Sequence, residues 1–136
     1  MKSLHLLCLL GALAFASGVE IPDELKEMVQ MVHDQCIGET GASNDAIEAT
    51  KKGVFPADDQ KLKCYLKCIY SNMGAISDEG ELDAEAFSSV MPEELGAVLN
   101  PMINKCKGVT GPDGCELAFN FNICLYNADP KNYLVI

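Results

Sequence analysis

The chain has no tryptophan, only two histidines and few aromatics, and its ten basic residues are outnumbered by twenty acidic ones, for a net charge of −10 over 136 residues. Each shortage removes something. Without tryptophan, no binding site here can stack a ligand on an indole. A chain this acidic is a poor partner for nucleic acid or an anionic membrane surface, so its partners are expected to be neutral or held by buried apolar surface. There is no G-x-S-x-G, no P-loop and no H-E-x-x-H, which leaves the commonest hydrolase and nucleotide-binding chemistries without their residues. Past residue 18 no apolar run is long enough to cross a bilayer, and no membrane insertion is expected. Internal repeats, low-complexity tracts and dividing linkers are also missing.

The N-terminus is the one strongly apolar segment. Lys2 is followed by the run Leu6 to Phe15, and Ala16-Ser17-Gly18 places small residues where a signal peptidase cuts. Residues 1–18 therefore read as a signal peptide, with cleavage after Ala16 as the alternative, and residues 19–136 as one domain. An extracellular location follows. Removing the leader makes the chain more acidic, because it carries Lys2 and no acid, and it removes Cys8 and His5.

Helical periodicity dominates what remains. Leu25, Met28, Val29, Val32 and Cys36 share one face of a helix opening after Pro22. Gly41 breaks it, Ser43 or Asn44 caps a second helix to Lys52, and Asp58 or Asp59 starts a third carrying Leu62, Tyr65, Leu66, Ile69 and Met73 inward. A fourth spans about Asp83 to Val90. Pro92 reads as the first residue of a fifth, which Pro101 should kink or end early. The sixth runs from about Cys115 to Asn127, and an extended tail follows Asp129-Pro130. Only Tyr133-Leu134-Val135-Ile136 is rich in β-formers, so the class is all-α.

Six cysteines remain: Cys36, Cys64, Cys68, Cys106, Cys115 and Cys124. In a short exported chain an even count reads as disulfides. Cys64 and Cys68 are stacked one turn apart on one helix, where bridging them to each other would strain it, so each should reach a different neighbour. Cys115 and Cys124 lie on opposite sides of the sixth helix. Zinc would want a second close cysteine pair or a second histidine, and neither is present. Fifteen connectivities remain possible, and geometry narrows them without deciding.

Two segments invite a catalytic reading. His33-Asp34-Gln35-Cys36 resembles the His-Asp string of secreted phospholipase A2, but the Gly-rich calcium loop and the adjacent cysteine pair of that family have no counterpart here. Ser77-Asp78-Glu79-Gly80-Glu81 aligns with a calcium loop only by putting Ala75 and Ala86 where carboxylates are needed, so it reads as a turn. No enzyme activity, metal or cofactor is expected.

The full cysteine spacing, C-x27-C-x3-C-x37-C-x8-C-x8-C, resembles that of the insect odorant-binding proteins, the six-cysteine group that includes pheromone-binding proteins; LKCYLKC and the ending DPKNYLVI resemble it too. That resemblance implies a six-helix single domain enclosing an apolar cavity, with pairs Cys36–Cys68, Cys64–Cys115 and Cys106–Cys124. It implies a carrier of small hydrophobic odorants or pheromones in sensillar lymph or another secreted fluid, with a chemosensory receptor as a further partner and a monomer or weak homodimer as the assembly. By family position the cavity walls are Phe87, Met91, Leu95, Leu99, Met102, Ile103, Phe119, Leu125, Leu134 and Val135; on physical grounds, one polar group such as Tyr65 or a backbone amide is expected to orient an alcohol, aldehyde or ester. It further implies that the tail closes the pocket, its Ile136 carboxylate latched by His33 and Tyr65. From composition alone, an ordinary packed core accounts for the same residues. The rival functions are a carrier of lipids, hormones or secretion components outside olfaction, and a small secreted hydrolase.

Overall fold

A computed structural model describes residues 18–136. The signal peptide read at residues 1–18, with Cys8, thus lies outside the described residues except for Gly18. Six helices follow one another: α1 (Asp23–Thr40), α2 (Asn44–Lys51), α3 (Gln60–Asn72), α4 (Ala84–Ser89), α5 (Glu93–Cys106) and α6 (Gly114–Ala128). The class is all-α, as the periodicities predict; the only β pairing among the described residues is an isolated bridge between Ile76 and Leu82.

The helix starts follow from short polar side chains that satisfy otherwise orphaned N–H groups. Ser43 Oγ accepts from the Ala46 N–H at 3.1 Å, Asp59 from Leu62 at 3.0 Å, Asp83 from Ala86 at 2.9 Å and Asp113 from Glu116 at 2.9 Å. α1 ends where Gly41 turns left-handed (φ 70°) and its N–H reaches the Ile37 carbonyl at 2.8 Å. The stretch around Gly80 closes on itself, with the Gly80 N–H donating to the Ser77 carbonyl at 2.9 Å and the Ser77 N–H to Glu81 at 2.8 Å.

Two proline expectations need correction. Pro92 stands one residue before α5, at its N-cap, rather than as its first residue. Pro101 does not end α5, which continues to Cys106. Pro101 and Ala97, whose carbonyl loses its helical partner, both lie on the exposed face, while Met102, Ile103 and Cys106 are buried on the other. The lost bond falls on the solvent side, and packing holds the helix on the core side.

α3 and α6 form the centre. α3 packs along α6 and against α1, α5 packs on α6, and α4 rests on α5. Leu62, Tyr65, Leu66 and Ile69 of α3 are buried with Phe121 and Ala118 of α6. Three disulfides fasten this frame: Cys36–Cys68 joins α1 to α3, Cys64–Cys115 joins α3 to α6, and Cys106–Cys124 joins α5 to α6. The stacked cysteines of α3 therefore reach two different helices, and α6 is fastened from both flanks. Helices α2 and α4 carry no bridge. Beside the Cys64–Cys115 link, Lys63 is buried down to 8 % side-chain exposure, its ammonium 2.5 Å from Glu116 and 4.9 Å from the Phe119 ring centre. Burying that charge is tolerable because it is paired with the half-buried Glu116 carboxylate.

Past α6 the chain turns at Asp129, where the Asn132 N–H donates back to the Asp129 carbonyl at 3.2 Å, and then runs extended. Tyr133 packs edge-on with Phe55 and Tyr126. Gly53, with φ 78°, lies under this cluster; a Cβ there would sit 2.4 Å from the Tyr126 ring, so no other residue fits without displacing it.

Candidate ligand cavity

The apolar faces of the helices do not all meet. Between the start of α1, the last turns of α3, the α4–α5 pair and the tail lies a cavity of about 590 Å³. That is within the range of small-molecule sites, roughly 300–1,000 Å³. Phe87, Met91, Leu95, Leu99, Met102 and Ile103 form one wall, Leu125 part of the back, and Leu134 and Val135 the wall contributed by the tail. Phe119 is the exception. It does not line the cavity but packs on the other side of α6, edge-on to Phe55 and beneath Lys63. The sixth helix is apolar nearly all round, so its sequence could not say which flank faces the hollow.

Sequence reasoning missed half of the enclosure. Ile21 just before α1, Leu25, Met28 and Val29 of α1, Leu66 and Ile69 of α3, and Met73 at the C-cap of α3 also line the space. Their helical spacing was visible, but a residue that walls a cavity has the same periodicity as one that fills a core. Met28 and Val90 remain 53 % and 59 % exposed and mark the rim. Tyr65 does not line the cavity, so it is not the group that would orient a ligand from within.

The tail is a partition. Tyr133, Leu134, Val135 and Ile136 line the cavity on one side and, on the other, a second, more open hollow against His33, Glu48 and Lys51. Its end is tied to α3: the Tyr65 hydroxyl donates to the terminal oxygen of Ile136. His33 lies on the far side of that hydroxyl, with Nδ1 2.7 Å from it. Because the Tyr65 proton is directed to Ile136, His33 Nδ1 must carry its own proton and donate to Tyr65. The three residues expected to form a latch are thus adjacent, with Tyr65 in the middle and no ion pair between His33 and Ile136 among the described residues. Asp34 points elsewhere and accepts from Gln30 at 2.8 Å on the exposed face of α1.

Inside the molecule a second polar chain runs behind the cavity. The Tyr70 hydroxyl donates to Asn122 Oδ1 at 2.7 Å, and Asn122 Nδ2 donates to the Tyr133 hydroxyl at 2.6 Å. Asn122 is fully buried, and both tyrosines line the cavity. Burial pushes the Tyr133 phenol up to about 12 from an ordinary 10.0, against the opposing influence of the Thr50 and Asn122 side chains. Burial likewise raises Tyr70 well above the usual phenol value, and burial followed by repulsion from Asp34 raises Tyr65. A phenol with a raised folded value holds its proton where the unfolded chain has lost it, so its contribution is whole below pH 10 and disappears as pH rises through the folded value. Urea midpoints are therefore expected to show no loss from these phenols up to about pH 10 and to fall steeply between about pH 10 and 12. A midpoint unchanged at pH 12 would show that these phenols are not desolvated.

Comparison with known proteins agrees with this architecture. The model of the PBP/GOBP family matches residues 19–128. General odorant-binding protein 69a of Drosophila melanogaster is 31 % identical over 128 residues, covering 94 % of this chain and 86 % of the relative. The crystal structure of odorant binding protein 4 of Chrysopa pallens superposes with a TM-score of 0.74 at 29 % identity, covering 86 % of this chain and all of that one. Odorant binding protein 7 of Anopheles gambiae, solved in complex with an azo compound, gives a TM-score of 0.70 at 28 % identity over 80 % of this chain and 89 % of that one. The chain belongs to the PBP/GOBP family, whose fold and role are those of carriers that bind odorants and other hydrophobic molecules rather than of enzymes.

Proposed function

We propose that the protein is exported from the cell after loss of residues 1–18 and carries small hydrophobic odorants or pheromones through an aqueous extracellular fluid such as sensillar lymph to a chemosensory receptor. The observation that carries this reading is the 590 Å³ cavity, whose walls are almost wholly aliphatic, aromatic or thioether side chains. Its mechanism is transfer of an apolar molecule from water into a preformed hollow. Burying roughly 250–300 Å² of ligand at about 25 cal/mol per Å² contributes about 6–7 kcal/mol, the scale of ~10 µM binding before ordering costs. No charged contact is required. Met91, Met102 and Met73 suit a wall that must adapt to more than one guest.

Release is assigned to the tail. The Ile136 carboxylate accepts from Tyr65, with His33 behind it and the Glu48–Lys51 pair of α2, 2.7 Å apart, across the outer hollow. Acid that neutralises the carboxylate weakens the bond and frees the partition. An ordinary α-carboxyl titrates near ~3.5, so release at milder pH requires that the tail carboxyl be raised above this value in the closed form or that His33 take part in the latch.

The test is displacement of a naphthylamine fluorescent probe from the purified secreted protein, with the absence of tryptophan keeping the background low. Medium-chain hydrocarbons, alcohols and esters are expected to compete at micromolar concentrations. A protein that takes up neither the probe nor any of these ligands is not a carrier.

A further inference from the structure

The cavity is apolar but not featureless. Among its lining residues, side-chain oxygen and nitrogen atoms belong to Tyr70, Asn72 and Tyr133, and the chain end adds the Ile136 carboxylate. Asn72 is an exposed rim residue whose amide donates to the Cys68 carbonyl at 2.9 Å. The Ile136 carboxylate accepts from Tyr65 and has no proton to give. That leaves two phenols joined through one fully buried asparagine. An amide nitrogen donates and does not accept, so a phenol that faces it cannot spend its proton there. Tyr70 faces the oxygen and donates to Asn122 Oδ1 at 2.7 Å. Tyr133 faces the nitrogen, accepts from Asn122 Nδ2 at 2.6 Å, and keeps its own proton. The Thr50 hydroxyl near it is turned to the Ile47 carbonyl, at 2.6 Å, and among the described residues the Tyr133 hydroxyl donates to no acceptor. Burial keeps the phenol neutral, so at neutral pH it is a donor without a partner.

Resting on the carrier reading, we propose that Tyr133 is the polar anchor of the cavity and donates its O–H to the carbonyl oxygen of a guest, so that the site favours ketones, aldehydes and esters over hydrocarbons of the same shape. A hydrocarbon laid against Tyr133 leaves that donor dry and unpaired, which costs affinity; a carbonyl answers it and regains the hydrogen bond it gave up on leaving water. A carboxylate anion is a stronger acceptor, but it must share the same wall with the Ile136 carboxylate, whose like charge repels it. The relay thus sorts its two phenols: Tyr70 is committed to Asn122, and Tyr133 is oriented by Asn122 and left free to donate. One neutral hydrogen bond made or missed changes affinity by about threefold to tenfold.

The experiment compares a medium-chain methyl ketone with the 2-methyl-1-alkene of the same shape, in which CH₂ replaces the oxygen, by probe displacement on the wild type and on Tyr133→Phe. The ratio of ketone to alkene affinity is expected to fall by about threefold to tenfold in the variant, through weaker ketone binding rather than stronger or weaker binding of both. A ratio that Tyr133→Phe leaves unchanged overturns the proposal. Should the variant not fold, the wild type decides by infrared spectroscopy of a carbonyl-labelled ketone. A bound carbonyl band at lower wavenumber than in hexane, with a crystal structure of the complex placing the oxygen within hydrogen-bonding distance of the Tyr133 hydroxyl, supports the assignment. An unshifted band, or an oxygen placed elsewhere, refutes it. Uptake of both guests without the expected ratio removes only the anchor, whereas uptake of neither removes the carrier reading itself.

Discussion

Replacing Cys64 and Cys115 together by serine is expected to remove about 4 kcal/mol of stability, a substantial share of the roughly 5–15 kcal/mol that a domain commonly has in reserve. The link spans 51 residues of sequence, against 32 for Cys36–Cys68 and 18 for Cys106–Cys124. In the chain-entropy account, closing the longer loop restricts the unfolded chain more, which ranks the three at about 4.1, 3.7 and 3.2 kcal/mol. Serine suits the test because Cys64 and Cys115 are only partly buried, and new hydroxyls there still meet water. The dependence should be strong here because the interior contains a hollow: surface that would otherwise be packed contributes less dispersion energy. Urea unfolding of the double variant checks the value, and a melting temperature lower by roughly 15 °C should accompany it. If removing the 18-residue link costs more than removing the 51-residue one, local packing outweighs chain entropy and the ranking fails.

Deleting residues 131–136 should weaken ligand binding at neutral pH by at least about tenfold, a change that costs a cavity four of its wall residues and joins it to the outer hollow. The full-length protein is expected to lose affinity as pH falls, since the Ile136 carboxylate must be ionised to accept strongly from Tyr65. The shortened protein, having no such carboxylate at that place, should bind with little dependence on pH. Tyr65→Phe separates the two effects: it keeps the apolar partition but removes the hydrogen bond, and should bind near normally at first yet respond weakly to acid. Probe titrations of all three proteins between pH 7 and pH 4 provide the measurement. Equal affinity and an equal acid response in the truncated and full-length proteins would eliminate the tail as a gate.

Much of the frame was legible in the chain because helix caps are local. Ser43, Asp59, Asp83, Asp113 and Gly41 each act within a few residues of themselves, so reading them in order locates the helices to within a residue or two. Pro101 misled because its effect depends on which side of α5 meets solvent, a tertiary fact. The disulfide pairs came from a resemblance in spacing, since six cysteines on helices of known phase still leave several bridgings open. Phe119 was misplaced for want of any asymmetry around α6. The Tyr70–Asn122–Tyr133 relay went unseen for another reason: its members are 52 and 11 residues apart, and nothing local marks an asparagine in an apolar helix as the hub of two tyrosines. An asparagine so placed is a signal worth reading, because a buried amide must find partners.

All three bridges fasten α3 or α6 to something, while the segment from Ile21 to Met31 lies beyond the reach of Cys36 and the residues from Ala84 to Pro92 end before Cys106. The guest chamber accordingly has a stiff back and a compliant front. Amide hydrogen exchange is therefore expected to be faster at the start of α1 and in α4 than along the bridged α3 and α6.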